Sequence, residues 1–222
     1  MCVSKMALKE CRDDEQVIEF GTGDGSPVIH ALESWGRYGG VIHGFEINPS
    51  AAAAARNNAA AHGVTNSYKV QNSCFFKGLE QASPSMLIAN PPYIAAPDDD
   101  ILMPALHGGI DGAVLTRTLM SLGLDKAMLL ISSYSNPVET LEHARSEGYI
   151  LRDFMLTSMP FGTYSSEPKV MDWITRMKRE SKAFFTSKTY LLAGVLLVKA
   201  QAAVKRQDDL TDELLSIMTA LH

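Results

Sequence analysis

An apolar run ends in an amide, two prolines and an aromatic ring in the stretch MLIANPPY, residues 86–93. The run Met86–Ala89 predicts a buried strand. Proline cannot donate to the hydrogen-bond ladder of a sheet, so Pro91 and Pro92 must end this strand. We therefore expect Asn90 at the carboxyl end of a strand, where open α/β sheets bind their ligands.

The same turn has the groups needed to hold a planar NH₂ group. The lone pair of an amide or nucleobase amino nitrogen is delocalised, which makes that nitrogen a poor nucleophile. Two acceptors for its hydrogens favour the pyramidal form, and the Asn90 side-chain oxygen and the Pro91 carbonyl would supply them. With Tyr93 stacked on the planar group, the turn predicts methyl transfer by positioning and electrostatics, without a strong base. A strand end with no ligand is the alternative, because Asn-Pro is also a common turn signal.

A second strand and loop lie near the amino terminus, in QVIEFGTGDGSP. The residues Gln16–Phe20 predict a buried strand, and Ser26 as N-cap with Pro27 in the first turn predicts a helix after it. The glycines between them let a ligand approach the backbone. Because Ser26 stands at the sixth position of the dinucleotide fingerprint, the loop favours a nucleoside ligand other than NAD. A glycine-rich turn without a ligand is again the alternative.

The next predicted strand, Val41–Phe45, ends in a carboxylate, Glu46. A carboxylate at the end of the second strand of a βαβ unit is placed to accept hydrogen bonds from two ribose hydroxyls. The alternative is a solvated charge at a strand end. Asn48 and Pro49 then begin an alanine-rich helix that we expect to end at His62.

Strands continue to alternate with helices along the rest of the chain. This alternation predicts an α/β fold: a Rossmann-like, doubly wound, seven-stranded and mostly parallel sheet with helices on both faces. We expect one domain over 1–200, with a long connection at 160–189 between the last two strands, and a C-terminal helical tail at 201–222. The further predicted elements are strands at 67–71, 127–131, 149–156 and 190–199, a helix capped by Asp111, a helix opened by Ser135, Asn136 and Pro137, and a helix from Glu167 to Lys182.

Composition and charge limit the functional classes. The net charge of −5 over 222 residues argues against a large, non-specific nucleic-acid surface. The three cysteines have no zinc-binding spacing, and the aspartates 98–100 are more typical of a solvated loop than of a metal site, so we expect no metal. The start of the chain is not typical of a signal peptide, and the longest apolar run, Tyr190–Val198, is too short to span a bilayer, so we expect a cytoplasmic protein.

Two segments are candidates for contacts with partners. The connection 160–189 is locally basic, which suits an acidic partner such as RNA or an acidic protein surface, although lysine and arginine are also common on solvated helix faces. The tail 208–221 has a stripe that would pack on its own domain or form a homodimer contact. The basic residues are Lys169, Arg176, Lys178, Arg179, Lys182 and Lys188, and the stripe is Leu210, Leu214, Ile217 and Leu221.

Three motifs coincide in order: EFGTGDG, FEINP and IANPPY. Together they resemble the class I S-adenosylmethionine-dependent methyltransferases over nearly the whole chain. IANPPY is similar to the Asn-Pro-Pro-Tyr motif of enzymes that methylate amino nitrogens of adenine, guanine or glutamine amides. The downstream ALHGGIDG is similar to a segment of the release-factor glutamine methyltransferases. Those enzymes carry a substrate-binding domain ahead of the first strand, where this chain has about 16 residues, and the hypothesis is that 160–189 takes that role.

The resemblance implies S-adenosylmethionine as cofactor and assigns roles to individual residues. The methyl acceptor would be a protein glutamine amide or a nucleic-acid base, with a small molecule as an alternative. A different alternative for the chain itself is a catalytically silent binding protein of the same fold. Ser73 stands where the family often has an aspartate near adenine. By this resemblance Glu19, Gly21, Gly23 and Gly25 would line the methionine part of the cofactor, Glu46 would hold the ribose hydroxyls, and Asn72 and Ser73 would lie near adenine. Phe20, Thr22, Ile47 and Asn90 are further implied cofactor-binding residues. Asn90, Pro91 and Tyr93 would hold the target nitrogen.

Overall fold

Strands and helices alternate along the chain, which the computed structural model describes over residues 3–12, 15–35, 38–79, 84–200 and 208–221. The strands are β1 (Val17–Phe20), β2 (Ile42–Glu46), β3 (Tyr68–Asn72), β4 (Met86–Ala89), β5 (Lys126–Ser132), β6 (Tyr149–Pro160) and β7 (Thr189–Lys199). The helices are α1 (Val3–Lys9), α2 (Ser26–Trp35), α3 (Pro49–Ala61), α4 (Phe75–Leu79), α5 (Val114–Met120), α6 (Pro137–Ser146), α7 (Pro168–Arg179) and α8 (Thr211–Thr219), with a 3₁₀ turn at Pro104–Leu106.

The seven strands form one sheet in the order β3-β2-β1-β4-β5-β7-β6. Strand β1 pairs in parallel with β2 and with β4, β2 pairs in parallel with β3, and β6 and β7 are antiparallel. The predicted doubly wound, mostly parallel α/β sheet is confirmed. The direction of winding changes between β1 and β4, and such a switch point is where open α/β sheets bind ligands at the carboxyl ends of their strands.

The first of two compact units, unit 1, consists of the described residues up to Asn90 together with Leu124–Met128. Its strands β1, β2 and β4 are mostly buried, as is typical of parallel strands. Val17, Ile42 and Leu87 have no exposed surface. At the start of β5, Lys126 Nζ donates to both carboxylate oxygens of the buried Glu15, at 2.9 Å each.

Unit 2 consists of Pro91–Gly123 and the described residues from Leu129 onward. It contains the long β6–β7 hairpin and the helices α5 to α8. Helix α7 buries one apolar face, because Val170, Ile174 and Met177 lie in a cluster that also contains Tyr134 and Tyr190.

Some predicted element ends hold, and others do not. Helix α3 has Asn48 as N-cap, whose side chain accepts the amide hydrogens of Ser50 and Ala51, as its sequence indicates. The prediction that Asp111 caps α5 is wrong. The N-cap is Ala113. Asp111 accepts only the Ala113 amide through Oδ1, at 3.1 Å, and its Oδ2 pairs with Arg117 at 2.8 Å.

Other boundaries also differ from the prediction, most of the strand ends by one residue. Helix α2 begins at Ser26 itself, whose amide donates to the Asp24 side chain. Helix α7 ends three residues before the predicted Lys182, at Arg179. Strand β6 runs to Pro160, so the hairpin uses the first residue of the predicted 160–189 connection as strand.

Helix α8 is fixed within unit 2 by a polar and an apolar contact. Leu214 and Met218 are completely buried, whereas Ile217 is 44% exposed. Asp209, just before the helix, accepts a hydrogen bond from the Leu151 amide at 3.0 Å and pairs with Arg145. The buried part of the stripe is therefore covered without a second chain, and the predicted homodimer contact finds no support. The tail residues 201–207 lie outside the described residues.

The burial of α8 predicts that substitutions on its buried and exposed sides change the free energy of unfolding by different amounts. Leu214→Ala should lower the free energy of unfolding by about 2–5 kcal/mol, because it leaves a cavity in the core of unit 2. Ile217→Ala, the control on the exposed side of the same helix, should cost less than about 1 kcal/mol. Urea titration measures both values, and equal losses would contradict this packing.

Candidate cofactor and acceptor site

The loop after β1 carries three glycines in the left-handed region of backbone conformation. Gly21, Gly23 and Gly25 have φ values of 67°, 58° and 76°. A Cβ at Gly21 or Gly23 would find no heavy atom within 4 Å, whereas one at Gly25 would lie 3.1 Å from the Tyr68 ring. The first two glycines therefore leave the loop backbone open to a ligand, and the third makes room for Tyr68.

Backbone hydrogen bonds hold this loop against the end of β2. The amides of Gly21 and Thr22 both donate to the Phe45 carbonyl, at 3.0 and 3.2 Å. The Gly23 amide donates to Glu46 Oε2 at 2.8 Å. The glycine loop and Glu46, which the sequence motifs assign to the same ligand, are thus in direct contact.

The Glu46 carboxylate keeps acceptor capacity after these bonds are made. Its Oε1 accepts the Asn48 amide at 2.8 Å, so each oxygen has one backbone donor. A carboxylate offers roughly four acceptor positions, which leaves about two for ligand hydroxyls. Asn72 supports this arrangement, since its side-chain nitrogen donates to the carbonyls of Glu46 and Ile47 at 2.8 and 3.1 Å.

Two residues next to Asn72 have unusual side-chain surroundings. Ile47 accepts a hydrogen bond from Asn72 through its carbonyl, and Ser73 follows Asn72 in the chain. Ile47 is 76% exposed, the largest exposed fraction among the large hydrophobic side chains described. Among the described residues, the buried Ser73 hydroxyl has no hydrogen-bond partner. A buried hydroxyl without a partner is unfavourable.

An aromatic group beside β1 was not predicted. Phe20 makes edge-to-face contacts with Phe75 and Phe76, with centroids 5.3 and 6.4 Å apart, and Phe76 is 38% exposed. Phe75 and Phe76 begin α4, which has only five residues. A helix this short shows no periodicity from which its position could be predicted.

Glu19 is buried beneath the glycine loop rather than presented at its surface. Its Oε2 accepts hydrogen bonds from the Tyr68 hydroxyl at 2.5 Å and from Thr22 Oγ1 at 3.0 Å. Burial raises the pKa of Glu19 to about 7, and these two donors offset only part of that effect. Tyr68 is 49 residues away in the chain, and no sequence signal connected it to Glu19.

Within unit 1, Asn90 follows β4 at the same edge as the glycine loop. Ala89 is in register with Phe20, so Asn90 and Gly21 each continue from one of two paired residues. The Asn90 side chain is exposed. In the described part of the chain, neither the side-chain amide of Asn90 nor the backbone carbonyl of Pro91 has a hydrogen-bond partner.

Within unit 2, Tyr93 is held at its backbone and at its hydroxyl. Its carbonyl accepts a hydrogen bond from Ser135 Oγ at 2.7 Å. Its phenol oxygen lies 3.4 Å from that of Tyr190, and its ring is tilted against Tyr134 at 6.0 Å. Pro91 is buried, whereas Tyr93 remains partly exposed.

In the connection 160–189, which is predicted to bind the substrate, half of the six basic residues already have partners within the protein. Lys169 forms ion pairs with Asp98 and Asp100, which accounts for two members of the acidic run at 98–100. Lys182 pairs with Glu180 at 3.1 Å. Lys178 donates to the Phe185 carbonyl at 2.6 Å and lies over the Phe185 ring. Arg176, Arg179 and Lys188 are exposed, so the expectation of an acidic partner now depends on these three.

Over the described ranges, no three His, Cys, Asp or Glu side chains are grouped so as to hold a metal ion. None of the helices described has the length and apolar character needed to cross a membrane.

Several solved structures resemble this chain over most of its length. A candidate RNA methyltransferase from Pyrococcus horikoshii matches with a TM-score of 0.57 at 10% identity, covering 90% of this chain and 82% of that one. Precorrin-6y C5,15-methyltransferase from Geobacter metallireducens matches with a TM-score of 0.52 at 14% identity, covering 89% and 85%. An S-adenosylmethionine-dependent methyltransferase from Thiobacillus denitrificans, solved with S-adenosyl-L-homocysteine, gives 0.51 at 14% identity, covering 88% and 89%.

The chain has the class I methyltransferase fold. No protein-family model matches it, and at 14% identity or less these structures establish the fold alone. The acceptors in their names differ between RNA and a precorrin.

The buried Glu19 predicts a dependence of stability on pH. Its pKa is raised in the folded protein from 4.5 to about 7, so the folded state binds this proton more tightly than the unfolded state does. The resulting stabilisation is complete below pH 4.5 and is lost as the pH rises to about 7, an effect of roughly 3 kcal/mol. Glu19→Gln, which cannot ionise, should therefore gain stability relative to the wild type by about that amount over this range.

Urea titrations between pH 4 and 8 measure this difference. Glu142→Gln, which changes an exposed carboxylate on α6, is the control and should follow the wild type. A constant difference between Glu19→Gln and the wild type at every pH would show that folding does not raise the pKa of Glu19.

Proposed function

We propose that this protein binds S-adenosylmethionine through unit 1 and transfers its methyl group to a planar amino nitrogen, either a protein glutamine amide or a nucleobase. One observation carries the proposal. An open glycine loop, bonded to the Glu46 carboxylate, lies at the same edge of the sheet as an exposed Asn90 with no hydrogen-bond partner in the described chain.

The residues of unit 1 fit this cofactor. Gly21 and Gly23 leave space for its methionine part, and the remaining acceptor positions of Glu46 suit the two ribose hydroxyls. Ile47 offers an exposed apolar surface to the base. When bound, the cofactor supplies a methyl group that is already activated by its sulfonium sulfur.

The chain would contribute positioning rather than a strong base. The Asn90 side-chain oxygen and the Pro91 carbonyl accept the two hydrogens of the acceptor NH₂ group, which favours the pyramidal nitrogen and stabilises the positive charge that develops on it. Tyr93 stacks on the planar group. The methylated nitrogen then loses one proton, which solvent at the exposed Asn90 can take up. Glu19 is unsuited to this step, because its carboxylate is buried and bonded to Tyr68 and Thr22.

Two classes of acceptor remain compatible with this geometry. The net charge of −5 and the pairing of Lys169 and Lys182 with acidic residues reduce the positive surface available to a nucleic acid. Arg176 and Arg179 are exposed on α7 and would still attract an acidic partner. A protein and an RNA acceptor must therefore be tested side by side.

The proposed cofactor site predicts stabilisation by ligand. S-adenosyl-L-homocysteine at about 100 times its Kd should stabilise the protein by roughly 2.7 kcal/mol. Glu46→Ala should weaken binding, because it removes the acceptors for the ribose hydroxyls. The exposed Glu33→Ala in the same unit is the control and should bind like the wild type. Thermal denaturation with and without ligand measures these effects, and a folded wild type that shows no shift would refute cofactor binding.

Asn90 tests the proposed acceptor chemistry. Asn90→Ala should lower turnover by roughly 10²–10³, the usual effect of removing one preorganised transition-state group, while affinity for S-adenosyl-L-homocysteine changes little. Asn66→Ala, at an exposed amide in the same unit, is the control. Transfer from methyl-labelled S-adenosylmethionine to cellular protein and RNA fractions is the measurement. Full activity in Asn90→Ala would point to an oxygen or carbon acceptor instead.

A further inference from the structure

We propose that Ser135 is a positioning residue. It fixes the Tyr93 peptide and with it the acceptor turn, residues 90–93. The catalytic part of this inference rests on the proposed function. Ser135 lies between the end of β5 and the start of α6 and is 2% exposed. Its hydroxyl donates to the Tyr93 carbonyl at 2.7 Å. This contact lies wholly within unit 2.

The acceptor turn has few means of fixing its own backbone. Pro91 and Pro92 have no amide hydrogen, so two consecutive residues cannot donate to any neighbour. The first backbone bonds after the prolines are made by Ile94, whose amide donates to the Leu106 carbonyl and whose carbonyl accepts from Gly108. A hydrogen bond from outside the turn is therefore needed to set the direction of the peptide before Ile94, and Ser135 provides it.

The ALHGGIDG segment packs its glycines directly on this backbone. A Cβ on Gly112, whose φ is 76°, would lie 2.7 Å from the Tyr93 carbonyl oxygen and 2.9 Å from the Ser135 hydroxyl. A Cβ on Gly108 would lie 2.6 Å from the Pro92 carbonyl oxygen. Only hydrogen fits at these two positions, so the glycines allow the close approach that the Ser135–Tyr93 bond needs.

A buried polar network fixes the residue next to Ser135. Asn136 has a left-handed backbone, with a φ of 50°, and is 2% exposed, a conformation that is unfavourable unless its surroundings impose it. Its side-chain nitrogen donates to Asp111 Oδ2 at 2.9 Å and to Glu139 Oε2 at 2.6 Å. Asp111, from the glycine segment, also pairs with Arg117. The glycine segment and Ser135 are thus held by the same network.

Ser135→Ala tests the inference, with Ser133→Ala as a matched control. The Ser133 hydroxyl is also buried and also donates to a backbone carbonyl, that of Phe184 at 2.6 Å. It accepts the Leu191 amide at 3.0 Å as well, and it has no hydrogen bond to Tyr93. Native-state amide hydrogen exchange at Ile94 and Gly108 is the first readout. In Ser135→Ala both amides should exchange about 10-fold faster, the usual effect of one lost hydrogen bond, and Ser133→Ala should leave them unchanged. Unchanged exchange in Ser135→Ala would overturn the inference.

Methyl transfer is the second readout, with labelled S-adenosylmethionine and the cellular protein and RNA fractions as probes. Ser135→Ala should lower kcat by roughly 10- to 100-fold, because small misplacements of positioning groups are costly, with the KM for S-adenosylmethionine unchanged. Ser133→Ala should keep its kcat within about twofold. Faster exchange with an undiminished kcat would overturn the positioning role. If the wild type transferred methyl to neither fraction, the proposed function would fail, and the exchange data would still decide whether Ser135 fixes Tyr93.

Discussion

The hydrogen bond from the Gly23 amide to the Glu46 carboxylate is the contact on which the candidate cofactor site depends. It joins the loop after β1 to the end of β2, and it forms only because the loop glycines adopt left-handed conformations. Asn72, at the end of β3, then holds the backbone carbonyl of Glu46. Three neighbouring strands are thus linked at their carboxyl ends by polar contacts, which leaves the backbone of the glycine loop rigid and open on one side.

Features that depend on residues close together in the chain were predicted well. The strand Met86–Ala89 and its end at the prolines follow from the hydrophobic run and the missing amide hydrogens. The start of α3 follows in the same way from Asn48 and Pro49, which act within one helical turn. Local sequence therefore determined most of the order of elements and the place of the two motif-bearing loops.

Features that depend on distant partners could not be predicted from pattern. Asp111 has the sequence context of a helix cap, yet Arg117 and Asn136 bind its carboxylate, and Asn136 is 25 residues away. The bond between Ser135 and Tyr93 spans 42 residues. Lys169 adds to the basic character of its segment in a residue count, but its aspartate partners lie about 70 residues earlier. Pattern reveals which groups are present, and only the fold reveals which of them are already bonded.

The contacts of Asp209 and Leu210 have a consequence for the edge of the sheet. Strand β6 is one of the two edge strands of the sheet. The amide of its Leu151 donates to the Asp209 side chain, and its carbonyl accepts the Leu210 amide. The C-terminal segment therefore occupies part of an edge that another chain could otherwise pair with. Truncation before Asp209 would expose that edge together with the apolar surface under α8, and the shortened protein would be prone to aggregation even with its glycine loop and acceptor turn intact.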